Sequence, residues 1–143
     1  FEAAMDLHKF LWAKTSRENP DSWHPLLFHL LDSGNVTLAL WRHYLPSSTR
    51  SRFTRLLSLD EDSAGRLLAY WTALRDIGKA SPAFQGKSAA QKELLLQKST
   101  PFPLNLPDAP HGLITAWALL PLLPPSLRLV GRILAGHHGN LPN

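Results

Sequence analysis

The 143-residue sequence contains no cysteine. A disulfide framework and any thiolate metal ligand or nucleophile are therefore excluded. Long apolar runs are also absent, because three prolines and two arginines interrupt the leucine-rich stretch 113–134. No membrane span is expected from such a pattern. The chain does not begin with a recognisable secretory signal, and we expect a cytoplasmic protein that does not associate with membranes.

Valine and isoleucine are scarce, whereas leucine and alanine are abundant. This composition favours helices over strands. With 44% hydrophobic and 18% charged residues, the sequence is typical of a folded domain and not of a disordered one. The length suits one domain with a single core. The sequence therefore predicts one all-α domain, without an internal repeat or a linker.

The helices are predicted from leucine periodicity and from capping residues. Residues 19–22 predict a turn and an N-cap, and Pro25 suits the first turn of the helix that follows. Gly34 is expected to loosen that helix, while Asp60 is expected to cap a later one that Gly78 ends. The prolines of 101–110 predict a loop. The predicted elements are a short helix or turn over 7–14 and helices over 23–44, 47–57, 61–77, 88–98, 111–122 and 126–135.

The net charge of +4 is compatible with a polyanionic partner but does not require one. Four arginines follow one another around the end of the 23–44 helix and form a candidate contact with nucleic acid or an acidic partner. A solvated surface is the favoured interpretation of this group. Its members are Arg42, Arg50, Arg52 and Arg55.

Histidines and aspartates lie at the ends of several apolar helices. His29 and Asp32 share one helix face, and His111 follows the proline-rich loop. Neutral imidazole and carboxylate groups are ligands for divalent metals, and helix bundles build metal sites in their cores. Taken alone, His29 is more typical of a helix-boundary residue than of a ligand, and His111 is more typical of a helix N-terminal residue. For His137 and His138, adjacent within a glycine turn, a ligand role and a structural role are equally favoured.

Asp76 lies at the C-terminal end of an apolar helix, where its charge opposes the helix dipole. A compensating partner is therefore expected nearby. That partner is either a metal ion or the cationic neighbours Arg75 and Lys79.

Five segments, in this order and at these separations, carry a specific similarity. They show that the chain resembles the HD nuclease domain of the CRISPR-associated helicase–nucleases of type I systems, over essentially all of residues 1–143. The block Asp-Ile-Gly-Lys-Ala-Ser-Pro-Ala-Phe-Gln is highly specific to that family. The segments are residues 11–16, 24–32, 73–85, 110–112 and 136–139.

The resemblance implies an all-α HD-type helical bundle that holds up to two divalent ions, which are Mn, Co, Ni, Fe or Mg. These ions would activate water at a phosphodiester of single-stranded DNA. The implied partners are that DNA, a helicase domain, fused or separate, and a type I CRISPR RNA-guided effector complex. Asp76 matches the bridging, catalytic aspartate, and Lys79 matches a lysine that contacts phosphate or positions water. The implied metal ligands are His29, or less favourably His24, with Asp76, His111, His137 and His138.

Two departures from the family pattern weaken the implied site. Arg75 stands where the family has the histidine of its His-Asp doublet, and a guanidinium cannot bind a metal ion. We expect Arg75 to pair with Asp76 or Asp32 and at least one ion to be lost, so that the site could even be metal-free. The family's last aspartate ligand lies beyond residue 143.

A degenerate or C-terminally truncated HD domain is therefore predicted, with weakened or absent nuclease activity. The alternative is a non-catalytic HD-like module that docks onto a CRISPR effector complex or guides DNA. A nucleotide phosphohydrolase of the wider HD group is a third, weaker hypothesis. Residues 1–4 could be a tag remnant before Met5, but the turn residues at 139–143 favour a piece of a longer chain.

Overall fold

The computed structural model describes residues 7–19, 22–98 and 103–139, and most of these residues are helical. The predicted all-α architecture is confirmed, with a small hairpin added to it. A 3₁₀ turn, Leu7–Lys9, precedes the hairpin. Its strands are β1 (Trp12–Thr15) and β2 (Trp23–Pro25), and the helices are α1 (Leu26–His43), α2 (Ser47–Leu57), α3 (Glu61–Leu74), α4 (Pro82–Gln85), α5 (Ala89–Gln97), α6 (His111–Leu119) and α7 (Arg128–Ala135).

The predicted helix or turn over 7–14 is wrong beyond its first turn, because β1 pairs antiparallel with β2. The strand buries the side chain of Trp12 against the rest of the domain. Of the predicted turn at 19–22, residues 20 and 21 lie outside the described residues, and the Ser22 N–H donates to the Asn19 carbonyl at 2.9 Å. Ser22 is followed by β2 and does not cap a helix. Consequently α1 begins at Leu26, and Pro25 occupies the N-cap position ahead of its first turn.

Helices α1 and α3 pack closely and form the centre of the core. A Cβ atom added at Gly34 would lie only 3.3 Å from the carbonyl oxygen of Ala69. The expected loosening at Gly34 is therefore wrong: α1 is continuous, and the glycine allows α3 to approach. Trp41 is buried at the same interface and donates from its indole N–H to the Glu61 carbonyl at 3.1 Å. Burial of these apolar faces stabilises the pair.

Capping interactions explain where the following helices begin. The Asp60 carboxylate accepts the Ser63 N–H at 2.9 Å and caps α3 as predicted, and Ser88 caps α5 in the same way. Helix α4 was not predicted, and its start is capped by Ser81. Residues 103–110 contain no helix or strand, which agrees with the predicted loop, although 101 and 102 lie outside the described residues.

The end of α3 and the segments that follow it place the site. Helix α3 ends at Leu74 and not at residue 77, and Gly78 belongs to a separate 3₁₀ segment, Ile77–Ala80. Helix α6 packs between this segment and α7. Shorter 3₁₀ segments replace the end of the predicted 111–122 helix, at Leu120–Leu122, and the start of the predicted 126–135 helix, at Pro125–Leu127. Another 3₁₀ segment, Gly136–His138, follows α7. Within the described ranges, no helix has both the length and the apolar character needed to cross a bilayer.

Candidate metal centre

The Asp76 carboxylate is the centre of a cluster of imidazoles from three other segments. It lies in the turn between α3 and the 77–80 segment and is only 3% exposed. Its Oδ2 atom lies 2.7 Å from Nε2 of His29 on α1. Its Oδ1 atom lies 3.1 Å from Nε2 of His111 at the start of α6. Nε2 of His137, which follows α7, is also 3.1 Å from Oδ1.

Close backbone approaches bring these segments together. A Cβ atom at Gly78 would lie 2.7 Å from the Thr115 nitrogen and closer still to the His111 carbonyl oxygen. A Cβ atom at Gly112 would collide with the Ala135 carbonyl oxygen. The start of α6 is thereby clamped between the Asp76 turn and the end of α7.

Thr115 secures the clamp with two hydrogen bonds. Its hydroxyl accepts the Gly78 N–H at 3.0 Å and donates to the Arg75 carbonyl at 3.0 Å. The backbone on both sides of Asp76 is therefore tied to α6, which carries His111.

Four side chains form a group whose geometry suits a divalent ion. One potential ligand atom from each lies within 4.8 Å of all the others. The group comprises Asp76, His111, His137 and His138. A carboxylate and imidazoles together are typical ligands for first-row transition metals.

The orientation of His137 gives an independent indication of a cation. Its Nδ1 lies 2.7 Å from the Leu134 carbonyl and must donate a hydrogen there. In the neutral ring, Nε2 therefore presents a lone pair to Asp76 Oδ1, which is also an acceptor. Among the described residues, this buried Nε2 has no hydrogen-bond partner. A cation between the two acceptors would satisfy both, and a histidine held through its other nitrogen is characteristic of metal ligation.

His111 and His138 add to the same shortage of protons. Nε2 of His138 lies 3.0 Å from Nε2 of His111, which is itself near Asp76. One N–H of His111 cannot satisfy both neighbours. The residues present therefore fit a divalent ion.

Burial and neighbouring groups shift the pKa values of Asp76, His29 and His138. Burial by itself would raise the pKa of Asp76, but hydrogen bonds from His111 and His29 and the charge of Lys79 hold it well below its usual range. Burial is the main cause that lowers the pKa of His29. Burial and the neighbouring imidazoles of His137 and His111 also lower the pKa of His138. A carboxylate and neutral imidazoles are the forms that bind metal.

Lys79 reaches the cluster from the 77–80 segment. The residue is 8% exposed, and its Nζ lies 3.2 Å from Asp76 Oδ2 and 3.3 Å from His29 Nε2. The structure thus brings together the favoured ligand and catalytic residues, which are His29, Asp76, Lys79, His111, His137 and His138. Their individual roles stay predictions.

Sequence reasoning missed Gln85, which positions the loop that carries Lys79. The Gln85 side chain is fully buried and donates to the carbonyls of Lys79, at 2.7 Å, and Trp12, at 2.9 Å. Its Oε1 accepts the Trp12 N–H at 3.1 Å. The available signal was its place at the end of the specific 76–85 block.

Arg75 lies beside the cluster with its Nε 3.8 Å from Asp76 Oδ2. Of the two expected partners of Arg75, Asp76 is therefore the one found nearby. The other, Asp32, instead lies 3.0 Å from Nε2 of His24. His24, the less favoured ligand, is thus paired outside the Asp76 cluster.

The predicted arginine group divides into two parts. Arg42 and Arg50 lie 3.6 Å and 2.8 Å from Asp62 and Glu61, at the start of α3. Arg52 and Arg55 line a surface cavity of about 280 Å³. The first pair is compensated by acidic neighbours, and a role of the group in nucleic-acid binding stays a prediction.

Comparison with known proteins gives consistent results. A sequence profile described as "Cas3, HD domain" matches residues 12–143. The CRISPR-associated endonuclease/helicase Cas3 of Thermus thermophilus is 39% identical over 113 residues, which cover 79% of this chain and 12% of that protein. The CRISPR-associated nuclease/helicase Cas3 of Streptococcus thermophilus is 35% identical over 83 residues, which cover 55% of this chain and 9% of that protein.

A solved structure described as "Crystal structure of CRISPR-associated protein" is also similar. It has a TM-score of 0.84 at 34% identity, over 99% of this chain and 17% of that one. The chain therefore spans only a small part of the length of each relative.

Proposed function

The chain belongs to the Cas3 HD-domain family, and from this premise we propose that it is a metal-dependent nuclease domain that cleaves single-stranded DNA in type I CRISPR interference. The observation that carries the proposal is the buried Asp76 carboxylate surrounded by imidazoles, with the lone pair of His137 Nε2 unsatisfied. The proposed partners are a helicase domain and a CRISPR RNA-guided effector complex, and the proposed compartment is the cytoplasm. The names of the relatives, which pair a nuclease with a helicase, support this proposal.

The four-residue group of Asp76, His111, His137 and His138 would hold the ion. A divalent ion there supplies Lewis-acid catalysis for phosphodiester hydrolysis. The imidazole-rich ligand set favours Mn, Fe, Co or Ni over Mg.

The chain itself contributes positive charge next to the ion site. The Lys79 ammonium is held at Asp76 Oδ2 by burial and a 3.2 Å contact. It is placed to attract a phosphate oxygen and to stabilise the negative charge that develops during in-line displacement.

Arg75 reduces the activity that this arrangement can support. Its fixed charge lies 3.8 Å from the carboxylate that ligates the ion, and it would repel a cation bound on the same side. We propose a slow nuclease on this ground. The same observation favours the second candidate, a non-catalytic module that docks onto the effector complex or guides DNA.

A cleavage assay distinguishes the two candidates. The purified chain is incubated with end-labelled single-stranded DNA and Mn²⁺, Co²⁺, Ni²⁺ or Mg²⁺, with EDTA as the metal-free control. Asp76→Asn tests the site, Asp108→Asn is a matched substitution at an exposed carboxylate, and Arg75→His restores an imidazole.

We expect slow cleavage that Asp76→Asn abolishes, that Asp108→Asn leaves unchanged and that Arg75→His accelerates. If the unmodified chain and Arg75→His both bind metal but neither cleaves DNA, the nuclease proposal is wrong and the docking module is favoured.

A further inference from the structure

We propose that this centre holds a single divalent ion on the Oδ1 side of Asp76, and that the Arg75 guanidinium contacts a substrate phosphate on the Oδ2 side. The identity of that phosphate, as part of a DNA strand, rests on the function proposed above. The proposed number of ions does not depend on that function.

The two oxygens of Asp76 have different surroundings. Oδ1 faces His111 and His137, each at 3.1 Å, which belong to the four-residue group able to hold an ion. Oδ2 faces the His29 imidazole and two cations. Nε2 of His29 is 2.7 Å away, Nζ of Lys79 is 3.2 Å away and Nε of Arg75 is 3.8 Å away.

The Oδ2 side offers an ion almost no ligands. Nε2 of His29 is already engaged by Asp76 Oδ2 at 2.7 Å and by Lys79 Nζ at 3.3 Å. His29 also lies outside the group whose ligand atoms converge. Asp76 Oδ2 is the remaining ligand atom, and a lysine and an arginine already compensate its charge. A second dication would lie against both of these cations, whose repulsion is weakly screened in a partly buried site.

An anion, in contrast, fits this side well. Arg75 lines a cavity of about 450 Å³ together with Lys14 and Ser33. It also lines a second cavity of about 620 Å³, which His137 and Gly139 border. The Arg75 side chain therefore lies between the two cavities, and a strand that occupied both would pass over it.

The guanidinium is accessible to such a strand, because 41% of the Arg75 side chain is exposed. Its Nε is buried and lies toward Asp76, so the terminal nitrogens would make the contact. The planar fork of donors on arginine matches the oxygens of a phosphate group. A phosphate placed there would be adjacent to Lys79 and to the ion on the Oδ1 side.

The number of ions is tested by calorimetric titration of the whole chain with Mn²⁺, supported by elemental analysis after dialysis. We expect one ion per chain, and none in Asp76→Asn. Two ions per chain, or none in the unmodified chain, would overturn the inference.

The phosphate contact is tested by fluorescence anisotropy with a single-stranded oligothymidylate in EDTA, where cleavage cannot occur. We expect Arg75→Ala to weaken binding by a factor of about 10–100, as for the loss of a charged hydrogen-bonded contact. Arg75→Lys is expected to be intermediate, because it keeps the charge without the fork. Arg66→Ala, at an exposed arginine of α3 paired with Asp62, is the matched control and should bind like the unmodified chain.

The salt dependence of binding separates a phosphate contact from a structural role. Loss of one phosphate contact should reduce the slope of log K against log salt by about 0.7, whereas a local change in folding would not alter it in this way. The phosphate contact is refuted if Arg75→Ala keeps the affinity and slope of the unmodified chain, or if that chain does not bind the oligothymidylate. Because neither measurement depends on turnover, their failure is distinguishable from failure of the cleavage assay.

Discussion

Substitution of Gly78 by alanine would place a methyl group inside the backbone contact that holds the candidate metal centre together. The new Cβ would lie 2.7 Å from the Thr115 nitrogen and closer still to the His111 carbonyl oxygen, well inside van der Waals contact. Both obstacles are backbone atoms at the start of α6, and no rotamer change can relieve the overlap. The 77–80 segment would have to move away from α6, which would separate Asp76 from His111.

The cost of this movement can be approximated. Added volume in a well-packed interior typically costs 1–3 kcal/mol. Because rigid backbone opposes the methyl group, we expect a loss of about 3 kcal/mol in the free energy of unfolding. At roughly 2–4 °C per kcal/mol for a domain near this size, the melting temperature should fall by about 6–12 °C. Binding of Mn²⁺ should weaken in parallel.

Circular dichroism melting and calorimetric titration with Mn²⁺ measure the two effects. Gly34→Ala is the matched control, because its Cβ would lie 3.3 Å from the Ala69 carbonyl oxygen. This mild overlap opposes a gain of roughly 1 kcal/mol in helix propensity, so the net change should stay within about 1 kcal/mol. A Gly78→Ala protein that melts and binds Mn²⁺ like the unmodified chain would show that the close contact between the 77–80 segment and α6 does not hold the cluster in place.

Three further substitutions test the supporting interactions. Thr115→Val leaves the buried Gly78 N–H without its acceptor and should cost about 1–3 kcal/mol in urea unfolding; a loss below about 0.5 kcal/mol would contradict this. Gln85→Leu removes the partners of three backbone groups and should cost about 3 kcal/mol or more. Gln91→Leu is the control and should cost less, because Oε1 of that buried amide lacks a partner among the described residues. Equal losses in the free energy of unfolding for the two variants would contradict the role of Gln85. Hydrogen bonds from the hydroxyl and the backbone N–H of Ser63 lower the pKa of the Asp60 carboxyl group. The capping contribution of Asp60 to stability is therefore complete above about pH 4 and is lost as the pH falls further. Asp60→Asn keeps a cap that does not titrate, and its melting temperature should improve relative to the unmodified chain between about pH 5 and pH 3; a constant difference would contradict the assignment.

The helices could be predicted because their signals are local. The Asp60 and Ser88 caps lie beside the residues whose N–H groups they accept, and leucine periodicity marks the faces that are buried. The hairpin could not be predicted, because its strands have only four and three residues and its anchor is remote. The N–H of Trp12 bonds a side chain 73 positions away. Local propensity contains no information on such a partner.

The candidate site was predictable in its composition but not in its arrangement. The resemblance supplied Asp76 and the histidines that surround it, and the charge of Arg75 indicated a departure from the family pattern. The division of the carboxylate into a ligand side and a cationic side depends on the crossing of α1, α3 and α6. The unsatisfied nitrogen of His137 depends on the position of one backbone carbonyl, which no spacing rule in the sequence specifies.

The Gln85 amide joins two parts of the chain that are otherwise distant, the first strand and the turn that ends at Lys79. Neither can open while that amide keeps its bonds, so the two form a single cooperative unit. In native-state hydrogen exchange, the Trp12 amide should exchange at the rate of the turn that precedes α4 and not at that of a fraying terminus. A change at the hairpin would thereby reach Lys79 through one buried side chain.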